Sequence, residues 1–461
     1  MIETFTQLAY LIAAFMFITA LRALGRPDSA RRGMQLAALG MAVAVVATLL
    51  EARIVSYEWI VIGAAVGAIV GYPLGMWVPM TAMPQRIALS HAFGALAATV
   101  VGIGEYTNGL SAGSLIRANV AALGLEVLFG GLTVTGSLMA FGKLQEILPG
   151  RPLVFRGQNA LNALLLACAA GCLAWLLIFP TQVLVFSAVV AVAVLLGVLF
   201  VLPIGGADMP VVVSLLNSYA GLAAVATGFA IDNNILIIVG ALDGLSGFIL
   251  AIAMSKAMNR SFVNVLFGAF GSTNTDAATA TAIGGEMSPT TAEDAALRLA
   301  YAERVIMVPG YGLAVSQAQH QMRELANLIE KRGGDVRYAI HPVAGRMPGH
   351  MNVLLAEAGV PYDKLVDMDE INERFADTDV AVVVGANDVV NPAARTNPAS
   401  PIFGMPILKV AEAKGVLVLK RGKGKGFSGV ENDLFVDPKT SMLFGDARQS
   451  LLDLGLRVKE A

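Results

Sequence analysis

The four histidines of this 461-residue chain are unevenly placed: His91 lies in a long apolar region, whereas His320, His341 and His350 lie in a charged one. An imidazole titrates near pH 6.5, so among apolar neighbours it is suited either to carrying a proton or to holding a structural hydrogen bond. The segment His91-Ala-Phe-Gly-Ala-Leu-Ala-Ala98 is echoed by Asn217-Ser-Tyr-Ala-Gly-Leu-Ala-Ala224, and Gly102 then matches Gly228. Behind each polar head, Ala95, Ala98 and Gly102, or Gly221, Ala224 and Gly228, recur at offsets that share one helix face and allow close helix approach. Glu126 heads a similar face with Gly130, Thr133 and Ser137, a candidate continuation of a polar path. Asp243 lies mid-span, where an unpaired charge costs a few kcal/mol, so it is expected to be protonated or paired, with no role assigned. Asp208, in Gly205-Gly-Ala-Asp-Met-Pro210, has two readings, a coupling residue or a cap for the helix that follows. Arg260, just past the last apolar run, either anchors to lipid headgroups or contacts the domain beyond it.

The charged region carries a different constellation. Val308-Pro-Gly310-Tyr311-Gly312-Leu-Ala314-Val315 stands between an apolar strand pattern and a helical one, close to Gly-x-Gly-x-x-Gly with Val at the third site. Such glycines permit a tight turn and let backbone N–H groups approach a pyrophosphate at a helix N-terminus. The second strand should end in an acid if it is to hold a ribose hydroxyl, yet it runs into His341-Pro-Val-Ala-Gly345-Arg346. Lys420-Arg421-Gly-Lys423-Gly-Lys425-Gly426 instead places four cations among glycines after a strand, either a solvated basic loop or a cradle for a 2′-phosphate. The reading is therefore NADP(H) rather than NAD(H). Gly345-Arg346-Met-Pro-Gly349-His350 offers a cation and pliant backbone for a pyrophosphate. In Gly385-Ala386-Asn387-Asp388, the aspartate is suited to a ribose or a nicotinamide amide. His350 reads equally as a loop hydrogen bonder. No metal-ligand cluster and no catalytic acid–base pair accompanies this fold. If hydride moves, its second reactant sits on another chain.

These residues need two kinds of scaffold. Hydrophobic residues make up 56% of the chain and charged ones 14%, against about 25% charged in ordinary soluble domains. Of the 66 charged side chains, 22 fall in residues 1–262 and 44 in residues 263–461. The first part is expected to be a polytopic helical membrane domain with nine spans: Phe5–Leu24, Met34–Leu50, Trp59–Trp77, Ile87–Gly104, Ala121–Gly142, Ala160–Phe179, Val183–Leu202, Val211–Ile231 and Ile235–Lys256. With the N-terminus outside, ten Lys and Arg face the cytoplasm and only Arg53 and Arg117 face out, so the C-terminal domain is expected inside. Residues 263–300 read as a linker, flexible in composition from Phe270 to Thr281, with a short helix over Glu293–Arg304. Residues 301–461 read as an α/β Rossmann-like domain: strands Val305–Val308, Val336–Ile340, Val380–Val384 and Val416–Lys420, with helices over Leu313–Arg332 and around Val353–Ala358. A net charge of −2 gives no nucleic-acid footprint, and Cys168 and Cys172 read as packing residues.

The strings Gly205-Gly-Ala-Asp-Met-Pro-Val-Val-Val-Ser214, Leu216-Asn-Ser-Tyr219, Lys256-Ala-Met-Asn-Arg-Ser-Phe262, Gly310-Tyr-Gly-Leu-Ala-Val315, His341-Pro-Val-Ala-Gly-Arg346, Pro348-Gly-His-Met-Asn-Val-Leu-Leu-Ala-Glu357 and Gly385-Ala-Asn-Asp388 extend the pattern over essentially the whole chain. On them the chain resembles the β subunit of bacterial proton-translocating NAD(P) transhydrogenase. The resemblance implies reversible hydride transfer from NADH to NADP⁺ driven by inward proton flow. It implies a bacterial inner-membrane location, an α partner carrying the NAD(H) domain, and a dimer of α–β units. It also implies an NADP(H) flipped relative to the ordinary Rossmann arrangement, so the first turn need not hold the pyrophosphate. By position, His91, Ser137 and Asn217 match the proton path, and Asp208 and Arg260 match coupling positions. Arg346 and Asp388 match the nucleotide site, and Lys420-Arg421 the 2′-phosphate pair. Three departures stand out: Phe427 after Gly426 where the family often has Tyr, Gly422 where a Ser can stand, and Asp243 where apolar or small residues are expected. A reading from another class is an NADP(H)-sensing channel or transporter that transfers no hydride.

Overall fold

The structure is a computed structural model and describes residues 2–50, 56–79, 82–150, 152–205, 208–258, 286–347, 349–398, 400, 402–424, 426 and 428–461. Arg260, Lys425, Phe427 and the flexible stretch expected at 270–281 lie outside the described residues. The chain divides into two compact units, one of helices up to Ile252 and one carrying the charged C-terminal region.

Among the described residues, nine helices are long and apolar enough to cross a membrane, which makes this a membrane protein. They are α1 (Ile2–Leu24), α2 (Pro27–Leu49), α3 (Glu58–Met76), α4 (Met83–Ala112), α5 (Arg117–Leu144), α6 (Gln158–Ile178), α7 (Val183–Val201), α8 (Met209–Ala230) and α9 (Asn234–Ala257). A helix satisfies its own backbone polar groups, which hydrocarbon cannot do for it. Each helix overlaps one predicted span, but α4 runs eight residues beyond the predicted Gly104. Its last two turns include Glu105, Thr107 and Asn108, and it stops at Gly113, which has φ +63°. Apolar run length underestimates a helix that continues into polar sequence. The centre of the unit is α5 with α8, whose most apolar stretches are 56% and 67% buried, whereas α3 buries none of its own.

Two polar contacts hold this unit together. Tyr106 stacks on Phe186 with ring centroids 3.9 Å apart, and its hydroxyl donates to Pro180 O at 2.9 Å, fixing the short turn between α6 and α7. Lys143 is fully buried near the end of α5, and its Nζ donates to the carbonyls of Val201, Leu202 and Ile204. Leu202 O also accepts from Leu153 N and Val201 O from Ile204 N, so the amine adds charge-assisted bonds at the end of α7, where a cation also opposes the helix dipole.

The second unit is a six-stranded, all-parallel sheet in the order β3-β2-β1-β4-β5-β6. The strands are β1 (Arg304–Pro309), β2 (Asp335–Ile340), β3 (Leu365–Asp367), β4 (Val380–Val384), β5 (Gly415–Lys420) and β6 (Thr440–Phe444). Chain order reverses between β1 and β4, where Val305 pairs with Val336 on one side and Val380 on the other. This is the switch point at which ligands bind in such folds. The helices are α10 (Ala292–Ala300), α11 (Tyr311–Val315), α12 (Gln319–Lys331), α13 (His350–Glu357), α14 (Met368–Ile371), α15 (Ala393–Thr396) and α16 (Ala447–Glu460). The continuous apolar run of β4 is buried throughout, as a strand covered on both faces requires.

Three details differ from the sequence reading. The edge strands β3 and β6 are additional, one only three residues long and the other interrupted by polar Ser441. The helix expected over Leu313–Arg332 is broken into α11 and α12 at Gln317, whose φ is +49°. Residues 288–300, read as the end of a linker, are packed on the sheet. Thr290 N donates to Met442 O, Met442 N donates to Ser288 O, and Ala295, Ala296 and Leu299 are buried.

Replacing Lys143 by Met keeps the bulk but removes three hydrogen bonds from a buried helix end. Charge-assisted bonds are worth about 1.5–3 kcal/mol, so the detergent-solubilised chain should lose thermal stability by several degrees. An unchanged melting temperature would mean that these carbonyls are satisfied without the amine.

Candidate functional site

In the C-terminal unit, four loops leave the same edge of the sheet and touch in sequence. The turn after β1 meets the turn after β4 through bare backbone. Gly310 N donates to Val384 O and Gly312 N to Gly385 O, both at 2.9 Å. A Cβ on Gly310 would collide with the backbone of Ala386. One on Gly312 would come within 2.7 Å of Gly385 Cα, and Gly385 itself sits at φ +67°. The glycines are therefore explained by contact between two turns. The N–H groups of Gly310 and Gly312 are both used in this contact. The five-residue α11 behind them also makes no extended helix N-terminus.

The loop after β2 joins on the other side. The Arg346 guanidinium lies 4.4 Å from the centre of the Tyr311 ring, a cation–π contact. Gly345 (φ +108°) and Gly349 (φ +66°) bend this loop around His350, whose Nδ1 accepts from Arg346 N at 3.0 Å. A side chain on Gly345 would strike the imidazole. His350 is buried, and its Nε2 has no hydrogen-bond partner among the described residues. Of the remaining first-turn candidates, Ala314 is buried and Val315 is 54% exposed.

The loop after β5 folds onto the β4 turn. Both carboxylate oxygens of Asp388 accept from Ser428, from its N at 2.9 Å and its Oγ at 2.7 Å. Asn432 Nδ2 donates to the backbone and side-chain oxygens of Asn387, each at 3.0 Å. Asn391 Nδ2 donates to Glu431 O at 2.9 Å. Gly426 passes so close to Asp388 and Asn387 that a Cβ would clash with both. Lys420 is half-buried, its Nζ bonded to Gly424 O and 4.5 Å from the Phe435 ring centre. Burial lowers its pKa, and the negative charge of Asp388 pulls the other way. Arg421 projects outward, 3.8 Å from the Asp446 carboxylate. Arg346, Tyr311, Gly312, Gly385, Asp388, Ser428 and Lys420 thus form one line across the switch point. A cavity of about 490 Å³ elsewhere on this unit, lined by Asn372, Arg395, Met405 and Lys409 among others, includes none of them.

In the helical unit, the imidazole of His91 on α4 lies beside the side chain of Asn217 on α8. Asn217 Nδ2 donates to Asp243 of α9, to Oδ1 at 3.2 Å and to the backbone oxygen at 3.3 Å. The two heads of the internal echo are therefore partners. Glu126 is fully buried, and its Oε1 accepts from Thr227 Oγ1 at 2.7 Å. Ser137 is fully buried, with no hydrogen-bond partner for its Oγ among the described residues. Asp208 stands at the N-cap of α8 but makes no capping bond with its side chain, which removes the capping reading.

The comparisons with known proteins now bear on these groups. The family model described as NAD(P) transhydrogenase beta subunit matches residues 6–455. Two proteins of Rhodospirillum rubrum, both named NAD(P) transhydrogenase subunit beta, are each 48% identical over 455 residues, covering 97% of this chain and 98% of theirs. The chain belongs to the NAD(P) transhydrogenase beta-subunit family. The matched range reaches across both units of this family member.

Sequence reasoning missed Ser428, Asn432 and Asn391, which fasten one loop to another. Nothing in their local spacing marks them, because their partners lie 40 to 45 residues away. His350 was set aside although the glycines at 345 and 349 bracket a side chain that the loop must wrap.

His341 and His350 are both buried, and burial depresses their pKa to about 4. For His350 the nearby Arg346 adds to the effect. His341 Nδ1 accepts from Val343 N, while its Nε2 pairs with Pro406 O, as a neutral imidazole does. Unfolded, each takes up a proton near pH 6.5, so the unfolded state binds more protons between pH 6.5 and 4. Stability present above pH 6.5 should fall by about 1.4 kcal/mol per pH unit per histidine as the pH drops through that window. Hydrogen exchange at Leu354 and Leu355 measures it; protection that stays flat down to pH 5 would contradict neutral buried imidazoles.

Proposed function

We propose that this chain binds NADP(H) along the switch-point edge of its soluble sheet and carries a proton path through its helices. With an α subunit supplying NAD(H), it performs reversible hydride transfer from NADH to NADP⁺ coupled to inward proton movement. The observation that carries this reading is a beta-subunit family chain that sets His91 beside Asn217, itself bonded to Asp243, among its apolar helices, and whose other unit has the strand order 3-2-1-4-5-6. Its place is the bacterial inner membrane, with the soluble unit in the cytoplasm, and the working assembly is a dimer of α–β units.

The donor set fits a phosphorylated dinucleotide. Lys420 and Arg421 end β5 side by side, the chemistry a 2′-phosphate needs. Arg346, held over Tyr311, is positioned for a pyrophosphate, and the turns of Gly345, Gly349 and Gly385 to Asn387 line the approach. When bound, the nucleotide supplies the nicotinamide that accepts the hydride. The chain's residues act by holding and excluding. Asp388 and Ser428 fasten the loop after β5 to the turn after β4, and Phe427, next to Gly426 in sequence, is assigned to the nucleotide site. The site excludes water and fixes the distance between reactants, which is most of what hydride transfer asks of a protein. His91 is the proton carrier, Asn217 its partner, and Glu126 and Ser137 extend the polar path. Asp208 and Arg260 are assigned to the coupling between proton movement and nucleotide binding. Proton and nucleotide bias one conformational equilibrium, so each must alter the other's affinity by the same factor.

Two results are expected. Replacing Lys420 and Arg421 together by Ala should weaken NADPH binding by roughly 100-fold, about 3 kcal/mol, and leave NADH affinity nearly unchanged, as calorimetry would show. Equal losses would remove the 2′-phosphate assignment. In vesicles containing the α–β complex, NADPH formation from NADH should accelerate when the proton gradient points inward. His91→Ala should abolish that acceleration while NADPH still binds. A complex that exchanges no hydride at all would instead favour the sensing channel.

A further inference from the structure

Asp243 is a carboxyl ten residues into a membrane helix, a position where hydrocarbon makes a lone charge costly. It is held there by a close helix crossing. Gly221 of α8 lies against Gly240 and Gly244 of α9, where a Cβ on Gly221 would overlap the opposite backbone. Gly247, one turn on, leaves room for the Asn217 amide, which a Cβ would approach to 2.8 Å. The small-residue face thus lets Asn217 reach both the side chain and the backbone of Asp243. Because Asn217 uses its Nδ2 on Asp243, its Oδ1 is the atom left to accept from the His91 imidazole. His91 Nδ1 is buried and has no hydrogen-bond partner among the described residues.

The other titratable side chains within the helices are engaged elsewhere. Glu126 bonds Thr227, Lys143 bonds the end of α7, Tyr106 bonds Pro180, Tyr10 bonds Thr48, and Tyr219 stacks on Phe129. Glu105 lies on α4 nearer Glu126, and Cys168 and Cys172 sit on α6. Asp243 is the acid joined to His91 through a single side chain.

We propose that Asp243 is a second proton-binding group of the membrane site, sharing one proton with His91 while Asn217 bonds to both. This rests on the proton-path reading of His91. In one form the imidazolium donates to Asn217 Oδ1 and the carboxylate accepts from Nδ2. In the other an N–H bond of the imidazole has broken, an O–H bond has formed on Asp243, and both groups are neutral. The pair has zero net charge in either form, so the proton shifts between helices without leaving an uncompensated charge in hydrocarbon. A carboxylate linked to the imidazole through Asn217 favours its protonated form, which a neutral substitute does not.

The test uses the α–β complex in vesicles and follows NADPH formation against pH under an imposed proton gradient. Asp243→Asn should move the pH profile toward acid by about one unit or more and cut gradient-driven acceleration by roughly tenfold. NADPH affinity should stay within about twofold, and Asp243→Glu should restore both profile and acceleration. Asp243→Val, which enters lipid more readily than the acid, provides the same comparison if the Asn variant assembles poorly. Asn and Val variants that keep the native profile and acceleration, beside a His91→Ala variant that loses acceleration, would overturn this inference alone. Native vesicles indifferent to the gradient would overturn the proton-path reading with it.

Discussion

Hydrocarbon cannot solvate a polar group, and the helical unit is organised by that constraint. It makes the spans helical, since only a helix satisfies its own backbone. It also dictates what happens where a helix ends or a polar side chain intrudes. The carbonyls that end α7 are taken by Lys143, the hydroxyl of Tyr106 finds Pro180, and Glu126 finds Thr227. His91, Asn217 and Asp243 obey the same rule across three helices. What distinguishes them is that two of the three can exchange a proton, so one requirement yields both a stable packing and a titratable centre.

The soluble unit is governed by a different constraint, the distance to which two backbones can approach. Without side chains at 310, 312 and 385, the β1 and β4 turns close on each other at the switch point. Everything functional at that edge is referred to this contact. Tyr311 projects from one turn to meet Arg346, and Asp388 projects from the other to fasten the loop after β5. That closure uses the amides of Gly310 and Gly312. A dinucleotide would then be gripped by the side chains of the β2 and β5 loops rather than by the first turn, in keeping with the flipped orientation that the family resemblance implies.

The β5 loop shows how binding and release can share one device. Asp388, Asn387 and Asn391 hold it by side-chain bonds, each of modest strength, over cations that a phosphate would also engage. Lys420 is already turned back onto Gly424 and the Phe435 ring. Under the proposed reading, a ligand phosphate would compete with those contacts, and affinity would depend on how firmly the loop is fastened as well as on charge.

The sequence alone determined the two-part architecture, because span length and charge density are sums over neighbouring residues and need no tertiary information. It likewise determined the four long strands and the candidate loops, since apolar runs bounded by Gly and Pro are local signals. The echo between His91 and Asn217 was legible for the same reason. Tertiary structure alone decided that these two are partners, that Asp243 joins them, and that Ser428 holds Asp388. It also decided that the glycines of the first turn serve a backbone contact, that Gln317 breaks the following helix, and that residues 288–300 pack on the sheet. Each of these depends on atoms brought together from distant segments, and the strength of a hydrogen bond or a steric contact is set by separation in space, which sequence spacing does not encode.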